Sequence, residues 1–354
     1  MNSNQSHEDD ESFLPTLELV NGTLVIMTIN AAMDLDIFGI IGRAGPKAHI
    51  SATEIASHFP KHNPNTASVL DRMLRVLVTR RFLTCSTRAL DDGSPERVYG
   101  LGPAARYLAM DSGEGSLAPM FVLAKHKAPI SLLENVNDVL TGGGDRKPGG
   151  FAMYEAAGKD PILNEVFGSS MAGLSGIAMA KILKVYKGFE GLTSLADVGG
   201  GKGRTLSMVI SKYPYIKGFN FDVPCVIQTA PPYPGIEHVA GDMFVSVPRA
   251  DAIMMKDVIH NWSDEFCLKI LKNCYKALPK GGKAVIITMI PQEVPDSCSA
   301  SRYLADVDYV MLLQGSGKER GEKELEGLCM ASGFSKFQVA CSAYGLWSVV
   351  EFHV

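Results

Sequence analysis

The stretch from Leu192 to Pro214 constrains this chain more than any other. A short apolar run, Leu195-Ala196, meets an acid at Asp197 and then turns through Gly199, Gly200, Gly201 and Gly203. Apolar residues return at Leu206, Val209 and Ile210, a spacing that puts them on one helical face. The pattern predicts strand, tight loop and helix. Glycines in such a loop allow positive φ and let the backbone approach a ligand closely. The loop amides and the helix N-terminus would then face that ligand.

Spacing discriminates among nucleotide sites of this plan. A dinucleotide fingerprint needs Gly-x-Gly-x-x-Gly, but the sixth position counted from Gly199 is Arg204. A phosphate loop needs Gly-Lys-Ser/Thr at a fixed distance from a first glycine, which the chain lacks here. The order Asp197-x-Gly199-x-Gly201-x-Gly203 resembles motif I of S-adenosylmethionine (AdoMet) dependent methyltransferases. Downstream, apolar strand candidates at 195–198, 218–222, 236–241, 252–256 and 283–289 alternate with amphipathic helices, and 334–341 and 347–352 close the chain. Such alternation predicts an α/β, Rossmann-like domain with a mostly parallel sheet, helices on both faces and a final antiparallel hairpin.

In an open parallel sheet, ligands bind at the carboxyl ends of the strands. The second strand ends in Asp222, an acid placed to hold ribose hydroxyls. The third ends in Gly241-Asp242-Met243, where Asp242 can accept from an adenine amino group and Met243 can pack on its face. The fourth ends in Lys256, and His260 follows. One acid at a strand end is ordinarily a helix cap; polar groups on four successive strands predict a nucleoside site. A neutral imidazole beside it has the right pKa to take a proton near neutral pH. Ahead of the glycine loop, 151–185 reads as helix broken near Asp160-Pro161, with Met153, Phe167, Met171 and Met179 along it. That stripe suits ordinary core, or a pocket for a flat aromatic ligand.

The 354 residues accommodate two domains. Residues 1–13 are polar and acidic and read as a disordered tail. Apolar helix from Leu14 to Ile41, interrupted at Asn21-Gly22, gives way to a capping box at Ser51-Ala-Thr-Glu54. Leu70, Met73, Leu74 and Leu77 then mark a helix over 67–79, and 82–85 and 97–101 read as a hairpin turning at Asp91-Asp92-Gly93. This is a winged-helix plan. Arg72, Arg75, Arg80 and Arg81 raise DNA binding, but Asp71 and a net charge of −4 oppose it, so the expected role is subunit association. The Gly-rich stretch from Thr141 to Gly150 reads as the boundary between a winged-helix-like dimerisation domain (14–145) and the AdoMet-binding domain (146–354). Seven scattered cysteines without a Cys-x-x-Cys pair imply reduced thiols in the cytoplasm, not a disulfide frame or a zinc site. The early apolar run over 24–33 is too short to span a bilayer, so no membrane partner is expected.

Ordered blocks carry a fuller resemblance: Leu-Asp-Arg-Met-Leu-Arg at 70–75, Tyr-Lys-Gly-Phe-Glu-Gly-Leu at 186–192, Asp-Val-Gly-Gly-Gly at 197–201, Lys-Gly-Phe-Asn-Phe-Asp at 217–222, Gly-Asp-Met-Phe-Val-Ser-Val-Pro at 241–248, His-Asn-Trp-Ser-Asp-Glu at 260–265 and Gly-Lys-Glu-Arg at 317–320. The chain resembles plant class II phenolic O-methyltransferases of the caffeic acid type over nearly its whole length. The resemblance implies AdoMet, with S-adenosylhomocysteine as product, held by Asp197, Gly199, Gly201, Asp222, Val223, Asp242, Met243 and Lys256, with Ser175 reaching in from the preceding helix. It implies His260 as general base and Glu319 as its acidic partner, a phenolic acceptor lying against Phe167, Met171, Leu174 and Met311, a homodimer through the N-terminal domain, and no metal.

Departures fall on the chemical half. The family's second acid beside the base matches Thr288, which hydrogen-bonds but carries no charge. Asn261 stands where the family often has Asp, Leu174 where lignin-pathway enzymes commonly have His, and Pro129 and its neighbours replace the usual Met and Trp region. Three readings therefore stand: methylation of a phenol; a repurposed fold in which His260 drives another reaction, such as lactonisation of an ortho-hydroxycinnamate to a coumarin; and a weakly active dimer partner.

Overall fold

The computed structural model describes residues 3–60, 63–109, 114–134, 136–141, 152–315 and 317–354, with side chains from Ser12 onward except that of Asp138. Contacts divide it into two compact units, Met1–His126 and Lys127–Val354.

In the first unit, helices Gly22–Asp34, Ile37–Arg43, Ala52–Ala56 and Thr66–Thr79 accompany a three-stranded sheet of β1 (Ile50–Ser51), β2 (Leu83–Ala89) and β3 (Pro95–Leu101), ordered β1-β3-β2. The core joins Ile29, Ile37, Ile41 and Ile55 to Leu70, Leu74 and Leu77 of the amphipathic helix and to Leu83 and Tyr99 of the sheet. Both halves of the expected capping box form: the Glu54 amide donates to Ser51 Oγ (3.2 Å) and the Ser51 amide to Glu54 Oε2 (2.5 Å). Asp71 accepts from the Tyr99 hydroxyl (2.6 Å) and pairs with Arg97 (3.1 Å) and Arg75 (3.4 Å), so this acid engages arginines a nucleic-acid face would present. The tail reading of residues 1–13 needs correction. A helix runs from Ser3 to Val20, through Pro15. Helical hydrogen bonds close locally and need no burial. Phe13, Leu14 and Leu17 of that helix are exposed.

The second unit is built on a seven-stranded sheet of β4 (Ser194–Val198), β5 (Lys217–Asp222), β6 (Ile236–Ala240), β7 (Ala252–Lys256), β8 (Lys283–Met289), β9 (Lys336–Ala343) and β10 (Trp347–His353). Their order is β6-β5-β4-β7-β8-β10-β9; β4 to β8 run parallel, and β10 is antiparallel to both β8 and β9. Both faces of the sheet's centre are covered, which is why β7 and β8 are apolar at nearly every position. Leu195, Met254, Val285 and Ile287 face a cluster with Met179, Ile182, Leu206 and Val209. The intervening Ala196, Ile253, Met255, Ala284 and Ile286 face Ile270, Leu271 and Cys274.

The 25-residue helix Pro161–Val185 is long and apolar enough to cross a bilayer, but Met179, Ile182 and Leu183 bury it against the sheet. It begins where Asp160 Oδ1 accepts from the amides of Ile162 (3.0 Å) and Leu163 (3.2 Å). The units part between His126 and Lys127, ahead of the Gly-rich stretch read as a boundary, whose residues 142–150 lie outside the described residues. The helix Lys127–Glu134 packs against helices Ala152–Ala157 and Ser299–Gln314, which ties it to the second unit. All seven cysteines are free thiols.

Candidate active site

The glycine loop follows β4 and opens the helix Arg204–Lys212. Gly199, Gly201 and Gly203 sit at φ of 72°, 58° and 85°, in the region that disfavours side chains. Gly200 is required for a different reason. A Cβ there would lie 2.3 Å from Asn220 Oδ1 and 2.8 Å from the Asp197 carboxyl, so both side chains pass directly beneath the loop. Asn220 is fully buried; its Nδ2 donates to Gly201 O (2.9 Å) and lies 3.1 Å from His238 Nδ1. Sequence reasoning missed it, although it lies within the 217–222 block.

Asp222, at the end of β5, accepts from the amides of Gly201 (2.8 Å) and Val223 (2.7 Å), which fixes its carboxylate against the loop. Burial raises its pKa, and those two amides oppose the rise. Asp197 is 1% exposed, and its Oδ2 has no protein partner. Burial, reinforced by the charge of Asp222 and opposed by Lys256, pushes its pKa up to about 7. Asp242 Oδ1 takes the Phe244 amide (2.8 Å) and Met243 packs nearby in the core. Val223 is exposed at the start of the helix Pro224–Ile227. Lys256 ends β7 buried, donating to Ser175 Oγ (3.1 Å) and paired with Asp257.

These groups fit AdoMet better than a phosphorylated nucleotide. Three carboxylates at successive strand ends would repel phosphate but suit ribose hydroxyls, an adenine amino group and a cationic centre. The orphaned, buried carboxyl oxygen of Asp197 is the observation that most asks for a donor or a positive charge.

Beyond β7, the turn Ile259–Asn261 presents His260. Its Nδ1 lies 2.6 Å from Glu319 Oε1. A carboxylate only accepts, so Nδ1 carries the proton and Nε2 keeps its lone pair. Burial pushes the imidazole's pKa down, but the hydrogen bond and charge of Glu319, with the charge of Asp257, outweigh burial and hold it above 6.5; Lys256 opposes them. Glu319 is fixed by its own amide, which donates to Asp308 Oδ1 (2.7 Å). The adjoining Lys318 amide donates to His260 O (2.9 Å), and a Cβ on Gly317 would lie 2.6 Å from that same oxygen. The segment thus needs glycine to lie against His260. Arg320 is buried and grips the turn from below, donating to the carbonyls of Ile259 (2.7 Å) and Trp262 (2.6 Å) and pairing with Asp264 (2.8 Å). The sequence placed Arg320 in a block without a role; its grip on the turn that presents His260 appears only in three dimensions.

Thr288 is 2% exposed on β8. Of the expected acceptor side, Leu174 is half-buried and packs on the sheet core, Met311 is buried, Phe167 is half-buried against Tyr154 with ring centroids 5.7 Å apart, and Met171 is exposed. Asn261, where an acid was looked for, donates from Nδ2 to Asp257 O (3.2 Å) and so braces the turn. Among the described residues, no group of three or more His, Cys, Asp or Glu side chains is arranged to hold a metal.

The sheet order, the left-handed glycine loop and the acidic strand ends define a Rossmann-like methyltransferase preceded by a helical domain. Comparisons with known proteins give the family. Residues 132–335 match the O-methyltransferase domain, and residues 17–111 the O-methyltransferase dimerisation domain. The chain is 46% identical to caffeic acid 3-O-methyltransferase of Capsicum annuum, over 99% of each chain, and 47% identical to that of Prunus dulcis, over 97% of this chain and 95% of the relative. In fold it is similar to human N-acetylserotonin methyltransferase in complex with SAM (TM-score 0.78, 20% identity, 100% and 99% covered) and to the calicheamicin-biosynthesis methyltransferase CalO1 in its SAH-bound form (TM-score 0.76, 23% identity, 99% of each). The chain belongs to the O-methyltransferase family and carries that family's dimerisation domain.

Proposed function

We propose that this protein transfers a methyl group from AdoMet to a phenolic hydroxyl of a small phenylpropanoid-type acceptor, with His260 as general base. The observation that carries the reading is the His260–Glu319 pair, 2.6 Å apart, which leaves Nε2 as the unshared acceptor of a half-buried imidazole. The names of the plant relatives, which cover almost the whole chain at close to half identity, support a phenolic acceptor.

A phenol has a pKa of roughly 10 and is a weak nucleophile at neutral pH until a base takes its proton. His260 Nε2 accepts that proton as the oxygen attacks, and Glu319 stabilises the positive charge that develops on the ring. Arg320 holds the turn so that Nε2 keeps one position. Asp197, Asp222, Val223, Asp242 and Met243, with Gly199, Gly201, Lys256 and Ser175, would hold AdoMet, which when bound supplies an electrophilic methyl on sulfur. Phe167, Met171, Leu174 and Met311 would orient the acceptor ring, and much of the acceleration comes from that orientation. The active species is a homodimer assembled through the dimerisation domain and residing in the cytoplasm.

The test is to incubate purified protein with AdoMet and a panel of phenylpropanoids and weigh the products. Methylated product is expected, and His260→Ala is expected to slow its formation by about 10²–10⁴. Undiminished turnover in His260→Ala would refute the base assignment. Product formed without a gain of one methyl would refute the reaction.

A further inference from the structure

Thr288 leaves the catalytic imidazole one charge poorer than two flanking acids would, yet the sheet places an acid beside that position. In the parallel β7–β8 ladder Lys256 is paired with Ile287, and the Asp257 amide donates to Ile287 O (2.9 Å). The ladder ends at that pair; Asp257 is the first residue beyond it from β7, and Thr288 follows Ile287 on β8. Asp257 also stands two residues ahead of the turn Ile259–Asn261, and Asn261 Nδ2 ties that turn to Asp257 O. Its backbone is left-handed at φ 51°, a conformation uncommon for residues other than glycine. This bend takes the side chain out of the strand's alternation. The carboxyl that results is 23% exposed: Oδ2 pairs with Lys256, and Oδ1 is buried with no protein partner.

We infer that Asp257 is a positioning residue for the methyl-transfer base, supplying from β7 the second negative charge that stabilises the His260 imidazolium and that Thr288 on β8 does not carry. The inference rests on His260 as the base and goes beyond that reading in naming where its second charge comes from. Charged and titratable groups around it agree. Glu319 and Asp257 favour protonated His260, and Lys256 opposes it. Tyr303, on the helix Ser299–Gln314, has its pKa raised by burial and then by the charges of Asp257, Glu319 and Asp306. Tyr154 feels Asp257 from the helix Ala152–Ala157. Lys256 does not cancel the role. It offsets part of the effect, and of the two charges that of Asp257 weighs more on the imidazole.

A test on the full chain follows the His260 ring by NMR in ¹⁵N-histidine-labelled protein, its signal assigned by loss in His260→Gln. Asp257→Asn keeps the shape and tolerates the left-handed backbone. It is expected to lower the His260 titration midpoint by about one pH unit, a tenfold loss of proton affinity and the low end for a neighbouring charge. The acid limb of the kcat profile should move down with it, with kcat falling several-fold and the KM for AdoMet little changed. Thr288→Glu added to Asp257→Asn should restore both, because it puts the charge back one strand over. Asp257→Gly, which the backbone favours, is the second variant if the first folds poorly, with the same midpoint shift expected. An unmoved His260 midpoint in a folded variant overturns the inference, as does a failure of Thr288→Glu to restore it. Failure of the base reading is separate: His260→Ala would then keep its turnover, whatever the ring titration does.

Discussion

Cofactor binding should release a proton, and the proton should come from Asp197. The side chain is 1% exposed beneath the glycine loop, with one oxygen unpartnered, and burial and Asp222 raise its pKa from 3.8 to about 7. A rise of some 3 units corresponds to about 4 kcal/mol against ionising this carboxyl in the empty protein. The sign follows from linkage. Between pH 4 and 7 the folded protein binds more protons than the unfolded chain, so the contribution of Asp197 to stability falls as pH rises through that window. A ligand that brings positive charge to the site reverses the preference and lets the carboxyl ionise. AdoMet affinity should therefore weaken on acidification below about pH 7, by up to tenfold per unit, with up to one proton released per site. Isothermal titration calorimetry at pH 6 in two buffers of different ionisation enthalpy reads that proton directly. Asp197→Asn should bind with affinity nearly independent of pH in this range and without the release. Tight binding at pH 6 with no proton exchanged, or an unchanged release in Asp197→Asn, would refute the argument.

Three further outcomes are expected. Gly200→Ala puts a methyl within 2.3 Å of Asn220 Oδ1 and 2.8 Å of the Asp197 carboxyl, so it should weaken AdoMet binding at least tenfold while the N-terminal unit is untouched; calorimetry with wild-type affinity would contradict the packing. Arg320→Met removes a buried cation bonded to two carbonyls of the catalytic turn, and should cost about 3–5 kcal/mol in chemical denaturation as well as most of kcat, whereas a change under about 1 kcal/mol would show that the turn holds itself. Because the His260 pKa lies above 6.5, turnover should fall as pH drops through a midpoint above that value, and Glu319→Gln should move the midpoint down; a midpoint indifferent to Glu319 in the pH–rate profile would separate the limb from His260.

How much of this was legible before folding depends on the range of the interaction concerned. The β4 strand, glycine loop and helix are written in contiguous residues, and Leu206, Val209 and Ile210 are buried on the helical face that their spacing predicts. The capping box at Ser51 and the helix start at Asp160 are equally local. The His260–Glu319 pair joins residues 59 apart, so no periodicity reveals it; only the resemblance of two blocks did. Asn220 and Arg320 lay in blocks that gave them no role, and Asp257 lay in none. Asn220 matters because Gly200 lies over it, and Arg320 because two carbonyls of another loop turn toward it. The tail reading missed because low apolar content argues against burial, while a helix needs only its own backbone hydrogen bonds.

Asp257 shows the limit most sharply. Aligned by motif, position 288 has lost an acid, and a reading along the chain makes that a weakened catalyst. Aligned by hydrogen bonds, positions 257 and 288 each follow the last pair of the β7–β8 ladder, Lys256 and Ile287. A charge acts through distance and dielectric, whichever strand supplies it. The expectation for Thr288→Glu in the otherwise unchanged chain is therefore no gain in methyl transfer: a second carboxylate would face Asp257, and like charges at close range raise each other's pKa instead of both serving the imidazolium. A clear rise in kcat for Thr288→Glu, measured with the same acceptor and saturating AdoMet, would show that the charge at 257 does not reach the base.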